Sequence, residues 1–158
     1  MTRVGITGHR DLRDITHRLV AAAVAAELAG YRPLHGISAL AEGADQIFAE
    51  QVLEARGALT AVVPSADYAA AFATDAGEAT YRRLRALATE VIELPFASPS
   101  EDAYWAAGRR VVCLSDVLLA VWDGGLSGGM GGTADVVEFA ERLGVPTTVV
   151  WPPGSRRR

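Results

Sequence analysis

The chain has 158 residues, half of them hydrophobic and 22% charged, a length and composition that suit one compact domain with a buried core. Fifteen basic residues stand against nineteen acidic ones, and the resulting net charge of −4 lacks the electrostatic footprint of a dedicated DNA or RNA binder, so nucleic acid is not an expected partner. Every basic residue is Arg; the absence of Lys excludes Schiff-base and PLP chemistry and the Walker A phosphate loop together.

Short apolar runs alternate with longer helical patterns, which is the signature of βα units and a parallel sheet. Arg3 to Thr7 reads as the first strand. Asp14 is a candidate cap for a helix with Ile15, Leu19, Ala22, Ala23 and Ala26 on its apolar face, and Gly30 supplies a left-handed stop. Pro33 to Ile37 is the second strand. Gly43 to Arg56 follows as a helix, with Ile47, Phe48, Val52 and Ala55 on one face and Gly57 at its end. Leu59 to Val63 is a third strand, and the Ala-rich region from Tyr68 to Thr89 reads as one or two helices interrupted around Asp75 to Gly77. Val91 to Leu94 is a short fourth strand. Ser100, followed by Glu101 and Asp102, opens a helix to about Leu114. Val117 to Trp122 forms the next strand, Thr133 to Leu143 a helix stopped by Gly144, and Pro146 to Val150 the last strand. The expected organisation is a single three-layer α/β domain over residues 1–151, with helices on both faces of a mainly parallel sheet, and a mobile Arg-rich tail over 152–158.

Cys113 lies in an apolar-periodic stretch and is expected to be a packing residue. No run approaches the ~18 apolar residues of a membrane span, so a cytoplasmic protein without membrane contact is expected.

Parallel sheets present ligands at the carboxyl ends of their strands, so the residues after each strand carry the functional signal. After the first strand comes Gly5-Ile6-Thr7-Gly8-His9-Arg10, where Gly8 allows close backbone approach and Thr7, His9 and Arg10 donate to an anion. After the second, Ser38 to Asp45 leads into a helix N-terminus, whose amides and dipole favour negative charge. Within it, Glu42 and Asp45 either cap the helix or accept hydrogen bonds from ribose hydroxyls. After the fifth, six glycines fall between Asp123 and Thr133 and read as a phosphate-cradling turn. Tyr68, past the third strand, is either a core residue or a platform for a base.

Three matches fail on context. Gly125 to Gly129 fits G-x-S-x-G, but His9, His17 and His35 all precede it. Gly129 to Ala134 fits G-x-G-x-x-A without an acidic residue about twenty positions on, against dinucleotide chemistry. Three unpaired histidines and one cysteine make no metal centre, and neither metal nor cofactor is expected.

Gly5 to Arg10, Ser38 to Asp45, Gly108-Arg109-Arg110, and Leu118 to Gly124 followed by Gly131 to Glu138 together resemble the SLOG superfamily of Rossmann-like proteins, which includes the DNA-processing protein A group and the LOG cytokinin-activating phosphoribohydrolases. The resemblance implies a nucleotide-derived ligand across the loops after the first, second and fifth strands, contacting Gly5, Thr7, Gly8, His9, Arg10, Ser38, Glu42, Gly43, Asp45, Arg110, Asp123, Gly129, Gly131, Gly132 and Thr133. It also implies a homodimer. In the LOG branch a Glu three positions after the motif Thr is catalytic. Here that position is Val136, which leaves Asp135 or Glu42 as substitutes, with Arg109 or Arg110 in the assisting role; Glu138 lies about 200° round the helix and points away. The function expected is binding or sensing of a nucleotide-derived phosphate. N-glycosidic cleavage of a nucleoside 5′-monophosphate and a dimeric scaffold with a vestigial pocket are the alternatives.

Overall fold

The computed structural model describes residues 1–127 and 129–157; Gly128 of the glycine-rich stretch and Arg158 lie outside the described residues. Six parallel strands, β1 (Thr2–Gly8), β2 (Leu34–Ser38), β3 (Ala58–Val63), β4 (Glu90–Glu93), β5 (Val117–Val121) and β6 (Thr147–Val149), form one sheet in the order β4-β3-β2-β1-β5-β6. Five helices connect them: α1 (Asp14–Leu28), α2 (Ala44–Glu54), α3 (Asp75–Leu87), α4 (Glu101–Leu114) and α5 (Thr133–Leu143). This is a single Rossmann-like α/β domain. None of its helices is long and apolar enough to cross a membrane, among the described residues.

Strands β3 and β5 are largely apolar along their length because both faces of the sheet are covered. Val4, Ile6, Leu59, Ala61 and Val63 pack beneath α1 and α2 with Val20, Val24, Phe48 and Val52, while Ile37, Val62 and Leu118 pack beneath α4 and α5 with Val111, Val136 and Ala140.

Element starts and stops show where local chemistry was overridden. Ser100 caps α4 by accepting the Ala103 N–H, and Thr74 caps α3 by accepting the Gly77 N–H, so Asp75 to Gly77 opens a helix and the interruption falls earlier, after a 3₁₀ turn at Tyr68–Ala71. At α1 the cap position is Arg13 and Asp14 is the first helical residue. Its buried stripe is Thr16, Val20, Val24 and Leu28, and Ile15 is exposed, so the expected face is rotated by one residue. Gly30 is not left-handed; α1 tightens at its end through the Gly30 N–H to Glu27 O and the Tyr31 N–H to Leu28 O. Arg56, at φ 58°, makes the left-handed turn after α2, and Gly57, where a Cβ would lie 3.0 Å from Leu34, follows it into β3. Gly144 stops α5 at φ 74° as expected. Cys113 is exposed and does not pack in the core.

The arginine-rich end folds back on the domain. The Arg156 N–H donates to Thr16 Oγ1 at 2.7 Å, and Arg157 forms an isolated antiparallel bridge with Leu12.

Candidate functional site

Strand order reverses between β1 and β5, and there the connecting loops diverge to opposite faces and open a crevice. The two loops are tied across it. The His9 N–H donates to Val121 O at 3.1 Å, and the Asp123 N–H donates to His9 Nε2 at 3.0 Å. Gly8 makes this approach possible, since a Cβ there would lie 2.5 Å from Ala44 Cβ and 2.8 Å from Val121 Cβ. Gly43, at φ +82°, brings α2 equally close: the Ala44 N–H donates to His9 O at 3.1 Å, so the first amide of α2 is used by the protein itself.

His9 Nε2 faces two partners with opposite demands. The Asp123 N–H needs a bare nitrogen, whereas Asp123 Oδ1, 3.2 Å away, favours a protonated one. Burial and the charge of Arg157 hold the imidazole below its ordinary range, so at neutral pH Nε2 accepts and the proton resides on Nδ1. The Asp123 carboxylate is itself held low, chiefly by the Gly125 N–H that it accepts at 2.8 Å.

The β2–α2 loop is fixed from within. Ser38, fully buried, accepts the Leu40 N–H and donates to Asp45 O, and Gln46 donates to Leu40 O at 3.2 Å. These bonds hold Leu40 at φ 60°, a left-handed conformation costly for a side chain with Cβ. The Asp45 carboxylate accepts the Ala41 N–H at 3.3 Å. Burial pushes its pKa up to about 7 against the opposing charge of Arg10.

These loops border a cleft of about 490 Å³. One wall is the β1 loop from Thr7 to Asp11 with Asp45 and Tyr68; the opposite wall is α4, through Tyr104, Ala107, Gly108 and Val111. The floor is the turn from Gly129 to Thr133 and the start of α5. Asp135 braces this turn, accepting the Gly131 N–H at 3.0 Å while its own N–H donates to Ser127 Oγ. Arg10 lies with its guanidinium 4.7 Å over the Tyr104 ring. Arg157, arriving from the other end of the chain, pairs with Asp11 at 3.0 Å and approaches Asp123 at 3.9 Å.

Of the residues singled out in the sequence, Thr7, Gly8, His9, Arg10, Asp45, Gly129, Gly131, Gly132 and Thr133 line this cleft, and Asp123 stands behind His9. Gly5, Ser38 and Gly43 build its walls without lining it; the Gly5 Cα faces the Ser115 side chain. Arg109 and Arg110 lie outside. The cleft-facing side of α4 is 104, 107, 108 and 111, so both arginines fall on the exposed side, Arg109 with its guanidinium 5.2 Å over Trp105. Glu42 turns from the cleft toward Thr74, whose N–H and hydroxyl it accepts, and borders a second hollow. Glu138 points outward and pairs with Arg142. Val136, 2% exposed, does face the cleft, so the position at issue in the LOG motif is apolar and in place. Arg157, Tyr104 and Glu101 also line the cleft and were not among the predicted site residues. The i, i+3, i+4, i+7 series from Tyr104 to Val111 is a readable signal for Tyr104; Arg157 has none. No three His, Cys, Asp or Glu side chains gather as a metal site among the described residues.

No protein-family model matches the chain, and no curated protein matches it by sequence. Solved structures do match it by shape. DNA processing protein A from Streptococcus pneumoniae superposes with a TM-score of 0.72 at 16% identity, over 98% of this chain and 52% of that one. The Helicobacter pylori protein of the same name, described with a single-stranded DNA binding mode, gives 0.70 at 20% identity over 99% and 68%. The fold is that of these DNA processing proteins. A molybdenum cofactor binding protein from Rippkaea orientalis shares it, with a TM-score of 0.61 at 15% identity over 96% of this chain and 77% of that one. The present chain thus spans about half the length of the Streptococcus protein.

Proposed function

We propose that the cleft binds the phosphate of a nucleotide or nucleotide-derived small molecule, and that the protein binds this ligand without cleaving it. One observation carries the reading: Arg10 and Arg157, from opposite ends of the sequence, line the same cleft as a glycine turn that opens the α5 N-terminus. Guanidinium groups, backbone amides and the positive end of a helix dipole favour the same partner, an oxyanion. A small-molecule ligand is in keeping with the Rippkaea protein, which is named for binding the molybdenum cofactor. Single-stranded DNA, named for the Helicobacter protein, fits this chain less well, because its net charge is −4 and it has no Lys.

Binding without cleavage is favoured by what faces the cleft at the motif position. Val136 brings no carboxylate there, Asp135 is engaged by the Gly131 amide, Glu42 is turned toward Thr74, and Arg109 and Arg110 are on the far side of α4. Titration calorimetry with ribose 5-phosphate and nucleoside 5′-monophosphates tests the reading. Gly132→Asp, which sets a charge and added bulk against Ser127 in the turn, should abolish binding. Unchanged affinity in that variant refutes the site. Release of free base from any bound monophosphate refutes the restriction to binding.

A further inference from the structure

Beside the cleft lies an aromatic hollow of about 310 Å³ that phosphate binding leaves without a role. It shares Arg10, Asp11, Ala41, Tyr68 and Tyr104 with the cleft, so the two spaces are continuous around Arg10. Its other walls are Phe72, flanking alanines, Thr74 and one carboxylate, Glu42. Phe72 is stacked on Tyr81 with ring centroids 5.0 Å apart, and Tyr68 meets both rings, so this wall is rigid. The Tyr104 ring already carries a flat partner, the Arg10 guanidinium. A planar heterocycle fits such a surface by the same stacking chemistry.

Glu42 decides which heterocycle. Its two oxygens accept the Thr74 N–H at 3.3 Å and the Thr74 hydroxyl at 3.4 Å, both long, and a carboxylate has about four acceptor sites. The carboxylate therefore retains acceptors at the rim of a hollow whose other charged groups, Arg10 and Asp11, are engaged with the Tyr104 ring and with Arg157. A partner supplying two parallel N–H donors matches it; a ring edge with a bare nitrogen opposes it.

We propose that this hollow is the base subsite of the phosphate cleft, that it takes a heterocycle with adjacent ring N–H and exocyclic amino groups, and that Glu42 is the residue that selects it. That edge is carried by guanine and by pterins. The inference rests on the phosphate reading above, and the experiment separates the two.

Calorimetric titrations of the full chain with ribose 5-phosphate, GMP, IMP, AMP and neopterin monophosphate supply the test. GMP should bind about ten- to a hundredfold tighter than IMP, which keeps the ring N–H but lacks the amine, because a hydrogen bond to a charged acceptor is at stake. AMP should bind no tighter than ribose 5-phosphate. In Glu42→Gln the ratio of GMP to ribose 5-phosphate affinity should collapse toward one, and Tyr104→Leu, which keeps bulk but removes the ring, should lower the same ratio. Ribose 5-phosphate binding within each variant reports that the domain is folded. A tighter GMP or a tighter neopterin monophosphate identifies the source of the edge, and either supports the proposal. Equal binding of all five phosphorylated ligands overturns the base subsite while leaving the phosphate cleft standing. Failure of ribose 5-phosphate to bind overturns the cleft and the subsite with it.

Discussion

Replacing Asp45 with Asn should stabilise the protein at high pH and do nothing at low pH. The carboxyl is buried, and its pKa rises from 3.8 to about 7 because desolvation outweighs the Arg10 charge and the Ala41 amide. Between those two values the folded state keeps a proton that the unfolded chain has released. Stability therefore falls as pH rises through this window, and the loss is complete above pH 7. The full span corresponds to roughly 4 kcal/mol, an order-of-magnitude figure. Asn keeps the shape and an oxygen for the Ala41 N–H, and it does not titrate. The variant and the wild type should unfold together near pH 4 and diverge to a difference on the order of 10 °C in Tm by pH 8, the variant being the more stable. Differential scanning calorimetry across that range reads the effect, and every other titrating group cancels in the comparison. Parallel Tm curves for the two proteins from pH 4 to 8 would refute the claim that Asp45 is driven neutral by burial.

Arg157→Ala should leave Tm nearly unchanged, since its ion pairs with Asp11 and Asp123 are partly exposed and worth under about 1 kcal/mol, yet weaken ribose 5-phosphate binding about tenfold or more in calorimetry. Nitrogen-detected NMR should find the His9 ring neutral at pH 7 with its proton on Nδ1 and a pKa below 6.5; an imidazolium at that pH would contradict the bond from the Asp123 amide. Phe48→Ala empties a fully buried site between α2 and the sheet and should cost about 3–5 kcal/mol in denaturant unfolding, a loss under 1 kcal/mol showing that the core collapses to fill it.

Strands β3 and β5 were legible because a strand covered on both faces reads as a nearly continuous apolar run, and the remaining strands followed from short apolar stretches alternating with helical patterns. The face of α1 was not, for a physical reason. Five of the fifteen residues of α1 are Ala, and Ile15-Leu19-Ala23 and Val20-Val24-Leu28 are both spaced for a helical stripe, so intrinsic pattern cannot choose between them. Thr16 turns out to be in the buried stripe, where its hydroxyl accepts the Arg156 amide from 140 positions away. A hydroxyl satisfied over that separation looks, in the sequence alone, like a reason to expose the residue.

The site divides along the same line. Residues that act through their own backbone turn, Gly8 and the Gly129 to Thr133 stretch, announce themselves locally because only glycine fits the approach or the conformation. Those that act through a partner do not. Glu42 in sequence is a carboxylate beside a helix start, equally suited to capping and to ribose; its placement is decided by Thr74 from 32 positions on, which draws it out of the cleft and to the rim of the aromatic hollow. Asp45, three residues along, remains in the cleft because its side chain closes back on Ala41. Two acids that the sequence left interchangeable thus separate into one whose pKa burial raises to about 7 and one at the rim of the aromatic hollow, where we propose that it reads a base. The substitutions Asp45→Asn and Glu42→Gln accordingly answer different questions: the first moves the pH dependence of folding, the second the choice of base.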